Sequence, residues 1–209
     1  MKSSLGNPDF LIIGGGIFGC SIAWNLARRT SGSVLLLERR ELATATTPRA
    51  AGLIRNLNLK KGQTPLKTLT IEAISLLGDE LEETLQWHQV GGLLVAESEA
   101  NIWHLETLER HAIEHRQKFQ WIDRTEAEEI VPWLDGSSAG KFALLPDDGF
   151  IDPYLFTQFY ARAARKHGAL LKTGIEVTAL QNSGNRITGV QTTQGKISAG
   201  CIIDAAGPW

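Results

Sequence analysis

Three glycines, Gly14, Gly16 and Gly19, stand at G-x-G-x-x-G spacing in the segment FLIIGGGIFG (10–19), and an acid, Glu38, follows about 20 residues past the last of them. Those residue types at that spacing can hold a dinucleotide. The first glycine permits a tight turn, the second lets backbone approach a pyrophosphate, and the third lets a helix pack close to a strand. A pyrophosphate would rest on the helix N-terminus, where unpaired N–H groups and the helix dipole favour an anion. Glu38 would hold a pair of ribose hydroxyls and repel a 2′-phosphate, although Arg39 and Arg40 beside it are able to receive one.

The elements that must position these groups are legible around them. Phe10–Ile13 reads as a strand, a helix opens at Ile17, and Val34–Leu37 is the second strand of a right-handed β-α-β unit, with parallel strands buried on both faces. Residues 39–58 lack periodicity and read as a long functional loop. Thr64 then caps a helix with Pro65 at its first position, and Leu66, Leu69, Ala73, Ile74, Leu77, Leu81 and Leu85 form its apolar stripe, with a break expected at Gly78. Strands are expected at 90–96, 121–123 and 141–145, with a helix opened by Ser98 and a capping box from Thr125 and Glu128. Trp87, Trp103, Trp121 and Trp133 suggest that this insert has a packed layer of its own. Asp152, Pro153 and Gly168 bracket a further helix, whose buried face is read as Leu155, Phe156, Phe159, Tyr160 and Ala163. A β-meander over 175–197 and a last strand, Cys201–Asp204, complete an α/β, Rossmann-type order with a part of a second α+β domain.

Net charge is −2 with no basic tract, which argues against nucleic acid as the main partner. The apolar run 10–18 is too short to span a bilayer and lacks a cleavage site, so neither a transmembrane segment nor a signal peptide is read. Cys20 and Cys201 give no disulfide framework and fit a reducing, cytoplasmic setting, each read as a buried residue. His111 and His115 stand four apart on one helix, but no third ligand is evident and no metal is expected. Asp147 and Asp148 are read as turn and cap residues before the Asp152 helix. No nucleophile elbow appears, which counts against a hydrolase.

Four separated segments resemble one family, the FAD-dependent amino acid oxidoreductases of the D-amino acid oxidase, glycine oxidase and sarcosine oxidase group. They are GGGIFG (14–19) with Glu38, TATTPRAAGLIR (44–55), DDGFIDPYLFTQFYARAARKHG (147–168) and IDAAGPW (203–209), in family order. The resemblance implies FAD contacts at Gly14, Gly15, Gly16 and Gly19 around the pyrophosphate and at Glu38 with Arg39 by the ribose. It places Thr46, Thr47, Ala51, Gly52 and Leu53 at the pyrophosphate and isoalloxazine, Val177 at the adenine, and Ala206 and Gly207 beside the flavin. Pro48-Arg49 departs from the family's small residues; Arg49 either pairs with a phosphate or flavin group or faces solvent. Arg55 either meets a substrate carboxylate or is a surface arginine at a loop end. No catalytic acid or base is assigned.

The domains expected from the resemblance are an FAD-binding domain over 1–87 and 148–209 and a partial substrate domain over 88–147. The implied reaction is hydride transfer from the α-carbon of a small amino acid or secondary amine (glycine, sarcosine or a D-amino acid) to flavin N5, giving an imine that water hydrolyses. Dioxygen or another electron acceptor would reoxidise the flavin. The first histidine is His88, so no histidyl flavin link is expected within residues 1–87. Family members continue beyond the position of Trp209. A fragment or truncated product is therefore expected, with its remaining sheet edge unpaired, an oligomer left open, weak FAD retention and no turnover by 1–209 alone. Two rival classes remain: a non-catalytic FAD-binding piece that needs a second polypeptide, and an NAD-dependent dehydrogenase domain, against which the meander and the IDAAGPW strand count.

Overall fold

The computed structural model describes residues 6–58, 64–135 and 140–208. Trp209 and the side chains of Thr64, Pro65 and Leu66 lie outside the described residues. The elements in chain order are β1 (Phe10–Ile13), α1 (Ile17–Arg29), β2 (Val34–Leu37), a 3-10 turn (Thr47–Arg49), β3 (Leu53–Ile54), α2 (Thr64–Leu81), β4 (Trp87–His88), β5 (Gly92–Ala96), α3 (Glu99–His115), β6 (Gln120–Ile122), α4 (Arg124–Ile130), β7 (Lys141–Leu145), β8 (Gly149–Ile151), α5 (Pro153–Lys166), β9 (Leu170–Lys172), β10 (Val177–Ser183), β11 (Arg186–Thr192), β12 (Gly195–Ser198) and β13 (Cys201–Asp204). They form two compact units, residues 1–51, 77–84 and 152–209, and residues 52–76 and 85–151.

The first unit is built on a parallel sheet in the order β13-β1-β2-β9. Phe10 of β1 is in register with Val34 on one side and Cys201 on the other. β2 is buried along its whole length, because both faces are covered. Leu35 and Leu37 join Leu11, Ile175, Val190 and Ile197 in a core under the antiparallel sheet β10-β11-β12. Leu36, between them, points to the opposite face and approaches Gly19 of α1, as the strand period of two requires. On that face α1 buries Cys20, Ala23 and Trp24, and α5 buries Tyr160, Ala161, Ala163 and Ala164. Alanines let the two helices approach closely. Trp24 fills the end of the contact, 5.4 Å from the Tyr160 ring centroid, and its Nε1–H donates to Glu80 Oε2 at 2.8 Å.

The second unit holds two antiparallel sheets, β3-β8-β4 and β5-β7-β6. It is wider than the insert read from sequence, because β8 pairs with both β3 and β4 and so brings residues 52–54 into the same unit. Its core is Leu57, Ala96, Leu105, Leu108, Ala112, Ala143 and Leu145. The tryptophans do not build it. Trp133 and Trp103 are 86% and 57% exposed, and Trp121 is surface-anchored by an Nε1–H bond to Glu109 Oε1 at 2.8 Å.

Other sequence readings also shift. Gly78 does not break α2, which continues to Leu81 and stops where Glu82 turns to a positive φ. Leu85 is therefore beyond the helix, though buried, and Leu69 and Leu155 are exposed. On α5 the buried place is taken by Thr157, whose hydroxyl donates to the Pro153 carbonyl and so needs no water. Cys201 is exposed, because β13 is an edge strand with only one neighbour.

The capping box of α4 is two residues earlier than expected. Asp123 accepts from the Glu126 N–H at 2.9 Å, and the Glu126 carboxylate accepts from the Asp123 N–H at 2.8 Å. Loss of such a cap costs about 0.5–2 kcal/mol. Asp123→Ala should therefore lower the unfolding free energy by roughly 1 kcal/mol, and Thr125→Ala should change it by less than about 0.5 kcal/mol. Denaturant melts of the two variants check this; a larger loss for Thr125→Ala would restore the later box.

Candidate functional site

At Gly14 and Gly19 the turn from β1 into α1 admits nothing larger than glycine. Gly14 has φ +105°, and a Cβ there would lie 2.4 Å from the Ala205 carbonyl oxygen. A Cβ at Gly19 would lie 1.9 Å from the Gly14 carbonyl oxygen. Gly15 is enclosed by Leu42 and Glu38, and a Cβ at Gly16 would lie 3.2 Å from Thr47 Oγ1, a tight contact that the side chain must yield to relieve. Gly16 is the N-cap of α1 and offers no side chain to the first helical N–H groups. Of these, the Ile17 N–H donates to Thr47 Oγ1 at 3.2 Å. Beyond that one bond the helix N-terminus has no side-chain cap from Gly16, and Gly16, Ile17 and Phe18 line a cleft, which suits an anionic ligand approached by backbone.

Two adjoining clefts meet at this turn, sharing Gly14, Glu38, Ala45 and Ala206. The smaller, of about 100 Å³, continues to Arg39, Ile175, Glu176 and Val177. The larger, of about 250 Å³, runs past Gly16, Thr46, Thr47 and Ala50 to Gly207 and Pro208. An elongated two-part ligand bent around the glycine turn fits this arrangement. Its linking group would sit on the Gly14–Gly16 backbone.

Glu38 locks the turn from the other side. Its Oε2 accepts from the Gly15 N–H at 2.7 Å and its Oε1 from the Arg40 N–H at 2.9 Å. Its own N–H donates to Lys172 O, and its carbonyl accepts from Ile175 N–H. Each carboxylate oxygen keeps a second lone pair for a ligand hydroxyl. The acid read as a ribose holder is thus also a brace for the glycine turn, a role its spacing did not reveal.

The loop after β2 is tied down by backbone. Ala43 is buried at φ +58°, a conformation that costs a non-glycine residue of order 1 kcal/mol, and its N–H donates to Gly15 O at 2.9 Å. The Arg49 guanidinium donates to the carbonyls of Thr44 and Ala45. Arg49 therefore closes its own loop, where the sequence left a choice between a ligand group and solvent. At the end of β13, Asp204 Oδ1 accepts from Ala206 N–H at 3.0 Å and shapes the Ala205–Gly207 wall. An Asp two residues before a small residue at a strand end was the available signal for that turn. Nothing in the sequence marked Ala43.

Gly52, Leu53 and Arg55 belong to the second unit, and Ala51 is the last residue of the first unit's loop. Gly52 has φ +71° and its carbonyl accepts from Ile151 N–H, while Leu53 is 64% exposed on the edge strand β3. Arg55 is exposed. Asp148, read as a turn residue, is buried instead, and its Oδ1 accepts from the Asn56 N–H at 2.8 Å. Burial pushes its carboxyl up, while the Asn56 N–H, Arg55 and Lys67 oppose that rise. Burial also lowers the Lys67 ammonium, which donates to Leu57 O at 2.9 Å. Asp148 thus pins the chain just after Arg55. His111 Nδ1 bonds to Asn58 O at 2.8 Å, and among the described residues no three metal-capable side chains gather. No described helix is long and apolar enough to cross a membrane.

A family model described as "DAO: FAD dependent oxidoreductase" matches residues 9–209. Dimethylglycine dehydrogenase of Homo sapiens mitochondria is 33% identical over 205 residues, covering 96% of this chain and 23% of the relative. Sarcosine dehydrogenase of Homo sapiens mitochondria is 29% identical over 210 residues, covering 96% and 22%. The chain thus spans about a quarter of the length of these relatives. Among solved structures, L-proline dehydrogenase from P. horikoshii superposes with a TM-score of 0.89 at 27% identity, over 98% of this chain and 54% of that one.

The glycine geometry gives a graded expectation. Gly19→Ala drives a methyl into backbone that cannot yield, and should destabilise the protein by about 1–3 kcal/mol or more. Gly16→Ala meets only a hydroxyl at 3.2 Å and should leave the thermal midpoint nearly unchanged while narrowing the larger cleft. Thermal unfolding of both variants checks this. Equal losses would show that the two glycines serve the same purpose.

Proposed function

The chain belongs to the DAO family of FAD-dependent oxidoreductases, and from that membership we propose that it oxidises the carbon–nitrogen bond of a small amino acid or N-methylated amine. The observation that carries the reading is the glycine cradle with its two adjoining clefts, where a Cβ at Gly14 or Gly19 would strike backbone. FAD, when bound there, supplies the two-electron acceptor for a hydride from the carbon beside the amine nitrogen.

The chain's own residues bind and orient. Gly14, Gly15, Gly16 and Gly19 surround the pyrophosphate, with Thr46, Thr47 and Ala51 on its far side. Glu38 and Arg39 take the ribose, and Val177 the adenine. Ala206 and Gly207 lie beside the flavin, held by the Asp204 turn. The places of Gly52 and Leu53 at the ring rest on the sequence resemblance, and that of Arg55 at a substrate carboxylate on its position after the loop and the bidentate fit of a guanidinium. The first unit is then the FAD-binding body and the second the start of a substrate domain. The choice of amines is supported by the likeness to dimethylglycine and sarcosine dehydrogenases. Reoxidation falls to dioxygen or an electron-transfer partner.

Purified protein should be yellow and release FAD on denaturation. Anaerobic titration with N,N-dimethylglycine, sarcosine, glycine, D-alanine and D-proline should bleach the flavin band with at least one of them. Bleaching by none of these amines, or by an alcohol such as glycerol 3-phosphate alone, would contradict the amine reading. Colourless protein that takes up no FAD would remove its basis.

A further inference from the structure

A third cavity, of about 230 Å³, lies next to the cofactor clefts and is lined by Arg39, Arg40, Thr44, Ala45 and Arg49. Three of its five lining residues are arginines, in a chain whose net charge is −2. All three are exposed, and among the described residues none forms an ion pair. The acids nearby in sequence do not line the cavity. The Glu38 carboxylate is engaged by the N–H groups of Gly15 and Arg40, and Glu41 lines the larger cofactor cleft. Arg49 is held in place by its bonds to the Thr44 and Ala45 carbonyls, so one side of the cavity is already ordered.

We propose that Arg39, Arg40 and Arg49 form an anion subsite that takes a phosphate group. The chemistry selects phosphate over carboxylate. A single guanidinium fork satisfies both oxygens of a carboxylate, whereas three arginines lining one space, Arg49 with the part of its fork that its loop leaves open, match an anion with oxygens on several sides and more than one negative charge. The cavity shares Arg39 and Ala45 with the smaller cofactor cleft and Thr44 and Ala45 with the larger. The dinucleotide's own linking group would sit on the Gly14–Gly16 backbone, so the phosphate group belongs to a separate phosphorylated ligand bound alongside it.

Calorimetric titration with inorganic pyrophosphate, at fixed ionic strength against chloride and acetate, tests the proposal on FAD-loaded and FAD-stripped protein. Saturable binding to the loaded protein assigns the subsite to a separate ligand. Binding only to the stripped protein, displaced by FAD, would overturn the proposal, because the anion would then occupy the cofactor's own site. Arg40→Gln should weaken binding to the loaded protein roughly tenfold, the loss of one charge-assisted contact. Arg40→Lys should also weaken it, because the planar fork is lost. Arg40 is the cleaner position, since Arg49 also closes its loop. Unfolding midpoints should not move with Arg40→Gln. Pyrophosphate binding no tighter than chloride in both forms would overturn the proposal, and so would binding that Arg40→Gln leaves intact or that Arg40→Lys fully preserves. The titration of stripped protein stands even if no FAD is retained, so failure here is distinct from failure of the flavin reading.

Discussion

The tightest constraint in the first unit is the contact between the first turn of α1 and the carbonyl of Gly14. Only a hydrogen at Gly19 leaves room for that oxygen. Because the helix approaches so closely, its N-terminus opens directly onto the turn, and Gly16, Ile17 and Phe18 line the larger cleft. The same approach seats α1 on β1 and β2, buries Cys20 and Ala23, and lets α5 pack against it through alanines. Burial also raises the Cys20 thiol to about 12, so that residue is packing material and not a reactive group.

Glu38 carries the second half of the arrangement. A carboxylate that accepts two backbone N–H groups fixes the glycine turn on one side and the start of the following loop on the other. Ala43 then completes the enclosure by donating to Gly15 O from a strained conformation. Strain in a loop that borders a cleft persists only where its surroundings over-determine it. Here the surroundings are the buried Leu42 side chain and the Arg49 bonds to the same loop. The turn and the loop after β2 are thus backbone braced by two charged side chains.

The β-α-β unit, the Asp152 helix and the meander could be read from sequence because each carries a local signal. Glycine spacing, a cap followed by proline, and alternation between turns act within a few residues. What could not be read depends on distant partners. Asp148 is buried because Asn56, far away in sequence, donates to it. The tryptophans of the second unit look like core by size, yet its core is leucine and alanine, and Trp121 instead reaches Glu109. Cys201 looked buried by hydropathy but lies on an edge strand. Among the candidate site residues, the glycines and Glu38 are picked out by spacing alone. The loop residues from Thr46 to Leu53 were reached only through family likeness, since small polar residues carry no periodic signal.

The central claim is that FAD lies along the glycine turn, the 43–47 loop and the Ala205–Gly207 wall. Amide hydrogen exchange of the FAD-loaded protein, compared with the same protein stripped of FAD, tests it most directly. Loading should slow exchange at residues 14–19, 43–47 and 204–207, while strands β6 and β7 of the second unit stay unchanged. Unaltered exchange at the glycine turn, with protection arising elsewhere, would contradict the account.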